Sequence, residues 1–306
     1  MGSKVSLVRL ENSDEDIGDG IHKALELIDF NIDKPVKLVS IKPNLAYYWD
    51  ANTGYTTDPR VVEALIDWVR EEVGESVDIK VVEADASAMR THLAFRTLGY
   101  NKLAERKKVE LFNLSKDMIV GKKVLVNGRE IEYKVPQLLL DTDLFINVPK
   151  LKIMREVRIT CAMKNIFGCI AYPRKMIYHP YLNEAVVGIN KVLRPHLNVV
   201  DGIVGLGRFP IKLDLIMASV DPFSTDWVAS RITGLSPNDV PFLRISEKER
   251  IGSSKGIEIV GEETDKFSKI FPSEGFLSTK YLWGIQLRLL NLYTKIVGDI
   301  MPPIVE

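Results

Sequence analysis

The amino-acid sequence predicts an α/β protein with a mostly parallel, open β-sheet and helices on both faces. Two observations support this prediction. Short apolar runs of strand length alternate along the chain with segments in which apolar residues recur at helical spacing, a pattern typical of strand–helix–strand units. The chain has 306 residues, of which 46% are hydrophobic, so it can form a core of the size that such a sheet needs.

The predicted elements follow one another in a regular order. An alternating run predicts the first strand, and apolar residues at Ile17, Ile21 and Leu25 predict the first helix. Asp58 is a suitable N-cap, and Pro59 a suitable first residue, for the second helix. The predicted strands cover residues 5–10, 36–41, 79–82, 143–148, 197–200, 215–220 and 256–260. Further helices are predicted at 91–106, with an interruption near Gly99, and at 184–193 and 222–232.

Two additions to the sheet are predicted. Asn127-Gly128 joins alternating runs at 123–126 and 130–135, which predicts a β-hairpin at a sheet edge or as an insertion near 123–135. Residues 278–300 place apolar side chains at helical spacing, which predicts a C-terminal amphipathic helix. This helix would dock on its own domain, pair with a second copy, or lie in a membrane interface. We therefore expect an α/β domain over residues 1–270 and a C-terminal helical extension over 271–306.

Composition limits the classes of function. Forty-one basic and 41 acidic residues leave no formal net charge, which argues against a general nucleic-acid binder. Cys161 and Cys169 match neither a zinc nor an iron–sulfur spacing, so we expect two small apolar fillers in a reduced compartment. The N-terminus lacks the apolar stretch of a signal peptide, and no run is apolar enough to span a membrane. These features favour a cytoplasmic location.

Polar residues follow five of the predicted strands. In parallel sheets, ligands bind outside the carboxyl ends of the strands, so these endings predict a polar cleft. The alternative is that strands simply end at the surface, where polar residues are expected. The endings are Lys42 and Asn44, Glu83 and Asp85, Asn147 and Lys150, Asp201, and Asp221.

The segment 147–168 concentrates positive charge after one of these strands. Lys150, Lys152 and Lys164 have apolar neighbours, which indicates partly buried side chains, and lysine is suited to phosphate or carboxylate. With Lys42 they predict an anion-binding site. A solvated face with snorkelling lysines is the alternative, and we favour it for the arginines at 155 and 158.

Other residues in this region are candidates for acid–base or metal chemistry. His179 is the most credible general acid or base, because imidazole titrates near neutrality. The glycine-rich stretch 202–208 matches neither a dinucleotide fingerprint nor a P-loop; it brings backbone N–H groups to an anion or is only a turn. Carboxylates at Glu83, Asp85, Asp201, Asp221 and Asp226 are suited to a divalent cation such as Mg²⁺. For Asp221 a helix cap, and for Asp201 a turn, are the alternatives.

Several of these motifs resemble a known family. They are Lys42-Pro-Asn44, Thr56-Thr57-Asp-Pro59, Asn147-Val-Pro149-Lys150-Leu-Lys152, Thr160, Lys164-Asn165-Ile-Phe-Gly168 and Asp201-Gly202-Ile. Between about residues 42 and 234 the chain resembles the family called domain of unknown function 362. Many members of that family carry a ferredoxin-like iron–sulfur domain, whose cysteine motifs this chain lacks, so the resemblance implies no intrinsic cluster here. Relatives often have a histidine where this chain has Met154, and any role of that histidine is not carried over.

The leading functional hypothesis is a cytoplasmic enzyme that binds a small anionic substrate, phosphate or carboxylate, in this cleft. The predicted catalytic residues are Lys150, Lys164, His179 and Asp201. The predicted substrate-binding residues are Lys42, Asn44, Thr57, Asn147, Lys152, Asn165, Gly168 and Gly202. The predicted metal ligands are Glu83, Asp201 and Asp221. The alternatives are a redox-associated protein that partners a separate ferredoxin, and a non-catalytic sensor or scaffold that binds an anion and docks through its C-terminal helix. A homodimer is a further predicted partner.

Overall fold

A computed structural model describes residues 2–12 and 16–272 of the protein. The C-terminal helix predicted at 278–300 lies outside the described residues. Among the described helices, none combines the length and the apolar character that crossing a bilayer requires.

The described residues form twelve strands and ten α-helices. The strands are β1 (Lys4–Arg9), β2 (Leu38–Pro43), β3 (Asp78–Glu83), β4 (Glu110–Asn113), β5 (Ile119–Val126), β6 (Arg129–Pro136), β7 (Leu144–Val148), β8 (Lys150–Met154), β9 (Arg158–Thr160), β10 (Leu197–Leu206), β11 (Pro210–Ser219) and β12 (Glu258–Gly261). The helices are α1 (Ile17–Leu27), α2 (Pro59–Val73), α3 (Thr91–Thr97), α4 (Tyr100–Lys107), α5 (Gln137–Asp141), α6 (Ala162–Phe167), α7 (Leu182–Val192), α8 (Pro222–Ile232), α9 (Pro241–Lys248) and α10 (Thr264–Ser268).

Ten of the strands form one sheet, in the order β12-β1-β11-β10-β7-β2-β3-β4, with β8 and β9 attached beside β10. The run β10-β7-β2-β3-β4 is parallel throughout. Strand β11 is antiparallel to both of its neighbours, β10 and β1. The predicted α/β fold with a mostly parallel sheet is therefore confirmed, with antiparallel pairs on one side.

Helices cover both faces of this sheet. Successive residues of β7 point to opposite faces, so Leu144 and Ile146 lie in one apolar core and Phe145 in the other. The first core is closed by α1 to α4, and the second by α6 to α9. Side chains buried on both faces explain why the central strands are continuous apolar runs.

Local sequence signals account for several element boundaries. Asp58 caps α2, its carboxylate accepting from Arg60 N, and Pro59 begins the helix. Gly99 separates α3 from α4 with a φ of 84°, a left-handed conformation that favours glycine. Asn127 and Gly128 have φ values of 50° and 80°, which suit the tight turn between β5 and β6. The predicted hairpin is confirmed, as a separate two-stranded sheet.

The structure corrects two predicted strand ends. Strand β10 does not end at Val200 but continues to Leu206, paired with β11, so Gly202 lies inside a strand rather than in a turn. A Cβ at Gly202 would meet Leu215 O at 2.9 Å, so the glycine is needed for the packing of these two strands. Strand β11 runs antiparallel to β10, which places its final residues, and Asp221 after them, at the opposite edge of the sheet from the carboxyl end of β2.

Candidate functional site

The segment 144–154 brings two lysines to the carboxyl edge of the sheet. Strand β7 pairs with the start of β10, and after Pro149 the chain continues as β8 beside the later part of β10. Proline has no N–H to donate and interrupts the ladder at this point. Because side chains alternate along a strand, Lys150 and Lys152 leave one face of β8 while Leu151 and Ile153 enter the apolar core.

Lys150 and Asp201 form a fully buried ion pair. Lys150 Nζ lies 2.8 Å from Asp201 Oδ2, and the side chains are 1% and 0% exposed. Asp201 also accepts from Asp58 N at 2.7 Å and Ile203 N at 3.1 Å. Neither member of the pair lines the neighbouring cavity. The pair joins the start of α2 to β8 and β10 and lies beside the cavity rather than in its lining; the catalytic roles predicted for both residues stay predictions.

A cavity of about 250 Å³ lies beyond the carboxyl ends of β2 and β3. Its walls come from the loop after β2, the residues after β3, β8 and β9, helix α6, and the segment 175–182. The charged side chains in its lining are Lys42, Lys152, Lys164, Lys175, Glu83 and Glu156, and neutral polar residues in it include Asn44, Thr160, Asn165 and His179. The lining therefore carries more ammonium groups than carboxylates.

Lys42 and Glu83 neutralise each other in the cavity wall. Their charged atoms are 2.8 Å apart, and the side chains are 1% and 4% exposed. Lys42 Nζ also donates to Pro43 O at 2.7 Å, and Glu83 accepts from Ala84 N at 2.9 Å. A Cβ at Gly168 would lie 3.3 Å from Lys42 Nζ, so a glycine at this position leaves room for the ammonium group.

Lys152 and Lys175 are buried but bind only neutral oxygen atoms. Lys152 Nζ donates to Asn44 Oδ1 at 2.6 Å and Tyr55 O at 2.8 Å, and Lys175 Nζ donates to Asp85 O at 2.8 Å. Burial, with the charges of the neighbouring lysines, lowers the pKa of Lys152 to about 7. Burial likewise lowers the pKa of Lys175 to about 8. Keeping either lysine protonated in the ligand-free cavity therefore costs free energy.

Lys164 and His179 each place in the lining a nitrogen atom that has no hydrogen-bond partner among the described residues. Lys164 Nζ lies 4.3 Å from the centre of the Phe167 ring and has no hydrogen bond within the described part of the chain. Burial lowers the pKa of Lys164 to about 8, with Lys42 acting in the same direction and Glu156 opposing it. Burial and the charge of Lys164 lower the pKa of His179 to about 4, so its imidazole is neutral at pH 7. His179 Nδ1 is buried without a partner among the described residues.

A chain of three buried amides supports the cavity floor. Asn147 Nδ2 donates to Asn198 Oδ1 at 2.9 Å, and Asn165 Nδ2 donates to Asn147 Oδ1 at 2.8 Å. Of these three amide side chains, that of Asn165 lines the cavity. Thr57 acts similarly from behind, because its hydroxyl donates to Val148 O and accepts from Asn44 N, both at 2.8 Å.

Helix α6, which carries Lys164 and Asn165, is held at its N-terminus by a buried carboxylate from α8. Asp226 accepts from Ala162 N at 2.6 Å and Met163 N at 3.1 Å. Burial raises the pKa of Asp226 to about 7, although the two backbone hydrogen bonds act in the opposite direction. Asp226 thus positions the helix and does not line the cavity.

The predicted metal ligands are not brought together. Glu83 lines the cavity, Asp201 is buried against Lys150, and Asp221 lies at the opposite edge of the sheet, where it accepts from Ser224 N at 2.9 Å as the cap of α8. Within residues 2–12 and 16–272, no cluster of three His, Cys, Asp or Glu side chains is arranged to hold a metal ion. The antiparallel direction of β11 is the physical reason that Asp221 is separated from the others.

The cavity includes residues that the sequence did not single out as site residues. Lys175, Glu156 and Thr160 all line it. Lys175 lies four residues before His179, and this proximity in sequence is the signal from which Lys175 could have been predicted as a site residue. Conversely, Thr57, Asn147, Lys150, Asp201 and Gly202 were predicted as site residues and lie behind or beside the cavity wall.

Comparisons with known proteins agree with the motif resemblance. The model of the family described as domain of unknown function (DUF362) matches residues 39–231. A thylakoid-associated protein of Synechocystis sp. is 27% identical over 237 residues, which cover 72% of this chain and 70% of that protein.

Two solved structures show weaker likeness. A Thermotoga maritima protein has a TM-score of 0.42 at 16% identity, covering 78% of this chain and 59% of that one. The lactate racemase apoprotein of Thermoanaerobacterium thermosaccharolyticum has a TM-score of 0.38 at 12% identity, covering 65% and 50%. This chain therefore spans only part of either structure, and likeness at this level says nothing about function. Because the family model covers most of the chain, including every lysine of the cavity, the protein belongs to the DUF362 family of domains of unknown function.

Proposed function

We propose that this protein is an enzyme that binds a small anion, phosphate or carboxylate, in the lysine cavity. The observation that carries the proposal is the excess of buried positive charge. Of the four lysines in the lining, Lys42 is ion-paired with Glu83. The other three, Lys152, Lys164 and Lys175, are ion-paired with no carboxylate of the described residues.

A bound anion would offset the cost of this arrangement. Buried charges without a partner are strongly unfavourable, and the lowered pKa values of the three lysines reflect that cost. Ammonium groups are compact donors suited to phosphate and carboxylate oxygens. The cavity volume of about 250 Å³ favours a small molecule over a polymer.

The same arrangement supports catalysis. Cations placed in advance around a bound anion stabilise negative charge that develops during a reaction. His179, neutral and in the same lining, is a group that can accept a proton. The cytoplasmic location, the Mg²⁺ ion and a ferredoxin or homodimer partner stay predictions.

The anion site is tested by titrating the ligand-free protein with inorganic phosphate, pyrophosphate and citrate, using calorimetry and thermal unfolding. We expect at least one of these anions to raise the Tm. Lys164→Met should weaken binding of that anion roughly ten- to hundredfold, the value of a lost charge-assisted contact. Lys164 is the best position for this test, because its ammonium group makes no hydrogen bond that the fold depends on.

Lys266→Met is the matched control, because Lys266 is an exposed lysine of α10 paired with Glu262. It should bind the anion as the wild type does. Equal affinity of wild type and Lys164→Met, or the failure of all three anions to raise the Tm, would contradict the proposal.

A further inference from the structure

Lys164 differs from the other lysines of the cavity because its ammonium group has no hydrogen-bond or ion-pair partner among residues 2–12 and 16–272. Lys42 donates to Glu83 and Pro43 O, and Lys152 donates to Asn44 and Tyr55 O. Lys175 donates to Asp85 O. The amine of Lys164 lies over the face of the Phe167 ring, at 4.3 Å from its centre, and donates to no oxygen or nitrogen of the described residues, so it can approach a bound molecule.

The surroundings of Lys164 suit a nucleophilic amine. A lysine must lose its proton before it can attack carbon, and desolvation beside other cations is a recognised way to favour the neutral form. Lys164 lies on α6, and burial lowers its pKa to about 8; the charge of Glu156 opposes this shift and the charge of Lys42 adds to it. Near pH 8 the Lys164 amine is therefore neutral in a substantial fraction of the protein molecules.

We infer that Lys164 forms an imine with the carbonyl group of an anionic aldehyde or ketone bound in this cavity. The inference rests on the proposed function, since it assigns the substrate class of the same site. The three lysines without a carboxylate partner attract the anion. Lys152 and Lys175 hold its anionic group, and the neutral form of Lys164 reacts with the carbonyl carbon.

The step is balanced without an oxidant or reductant. The neutral Nζ adds to the carbonyl carbon, and the C=O electron pair moves to oxygen, which takes up a proton. The new ammonium nitrogen loses a proton, and the resulting carbinolamine loses its hydroxyl as water while the C=N bond forms. His179, which lines the same cavity, is neutral and is the group that accepts and returns the proton.

Pyridoxal 5′-phosphate is a suitable probe, because it carries an aldehyde and a phosphate and its imine absorbs visible light. The full chain would be mixed with one equivalent of the probe, reduced with sodium borohydride, and analysed by intact mass and peptide mapping. We expect one adduct, on the peptide that contains Lys164. Pyridoxal, which lacks the phosphate, should react at least tenfold more slowly, and excess inorganic phosphate should slow the labelling by the phosphorylated probe.

Variants complete the test. Lys164→Arg keeps a positive charge but cannot form an imine, so it should lose the mapped adduct, whereas Lys266→Met should keep it. The rate of imine formation should rise with pH to a plateau above about pH 8, following the pKa of Lys164. Labelling spread over surface lysines, or centred on Lys152 or Lys175, would overturn the inference. If phosphate binds but no adduct forms, the imine assignment fails while the anion site stands; if phosphate also fails to bind, both fail.

Discussion

The molecule uses buried lysines in two different ways. Lys150 is locked against Asp201, which also accepts two backbone N–H groups, so every charge there is compensated inside the protein. Lys152 and Lys175 are also buried, but their ammonium groups donate to neutral oxygens. The first arrangement holds three chain segments together, and the second leaves positive charge available to a ligand.

Replacing Asp201 should reveal its structural role. Asp201→Asn leaves Lys150 buried without a counter-charge, and breaking such a pair costs about 3–5 kcal/mol. We expect a loss of that size in the free energy of unfolding, measured by urea denaturation. The double variant Lys150→Met/Asp201→Asn should be more stable than Asp201→Asn, because the unpaired lysine is removed. A loss below about 1 kcal/mol for Asp201→Asn would show that the pair is not as dry as the structure indicates.

Among the secondary-structure elements, the hairpin β5–β6 depends on a missing side chain in α7. Tyr133 of β6 is fully buried, and its hydroxyl donates to Ala185 O at 2.9 Å. Gly188 lies in the middle of α7, and a Cβ there would come within 2.2 Å of Tyr133 Oη. The glycine therefore allows the aromatic ring to lie directly on the helix.

Gly188→Ala should destabilise the protein. In a helix this change normally stabilises by about 1 kcal/mol, but here it forces Tyr133 to move, and overpacking costs about 1–3 kcal/mol. Urea denaturation should therefore show a net loss of stability. Gly18→Ala in α1 is the control, because nothing lies within 4 Å of its added Cβ, and this variant should be neutral or slightly more stable. Equal effects at both positions would mean that Tyr133 accommodates the methyl group.

Across the whole molecule, the lysine cavity should make stability depend on pH. The folded state lowers the pKa of Lys152, Lys164 and Lys175 from 10.5 to between about 7 and 8. Between these values the unfolded chain binds more protons than the folded one, so stability rises with pH through that window.

This dependence can be measured by urea denaturation of the ligand-free protein at pH 7 and pH 9.5. Other groups titrate in the same window, so the difference between wild type and Lys152→Met is the informative quantity. The wild type should gain more stability between the two pH values than the variant does. Saturating phosphate should reduce that gain, because it stabilises the protonated lysines. An identical gain in wild type and variant would show that Lys152 has an ordinary pKa.

The sequence predicted the fold better than the details of the site. Apolar periodicity and cap residues located the central strands and α2, since these signals are local. The sequence does not show that β11 runs antiparallel to β10, so Asp221 was grouped with side chains that lie at the opposite edge of the sheet. Strand β8 was not predicted, because its two lysines made the segment look solvent-exposed, whereas both of its faces are buried. Tertiary contacts also could not be predicted: nothing in the local sequence distinguishes Lys150, which is ion-paired with Asp201, from Lys152, which lines the cavity.

Strand β8 has a consequence for how this protein can change in length. Its side chains alternate, with Lys150 and Lys152 on one face and Leu151 and Ile153 in the core. Deleting or inserting a single residue just after Pro149 would exchange the two sets. The lysine ammonium groups would then enter the apolar core, and the leucine and isoleucine side chains would face Asp201 and the cavity. Any tolerated length change there must involve an even number of residues. The register of β8, which sets the face on which each side chain lies, therefore determines the site as much as the lysines themselves do.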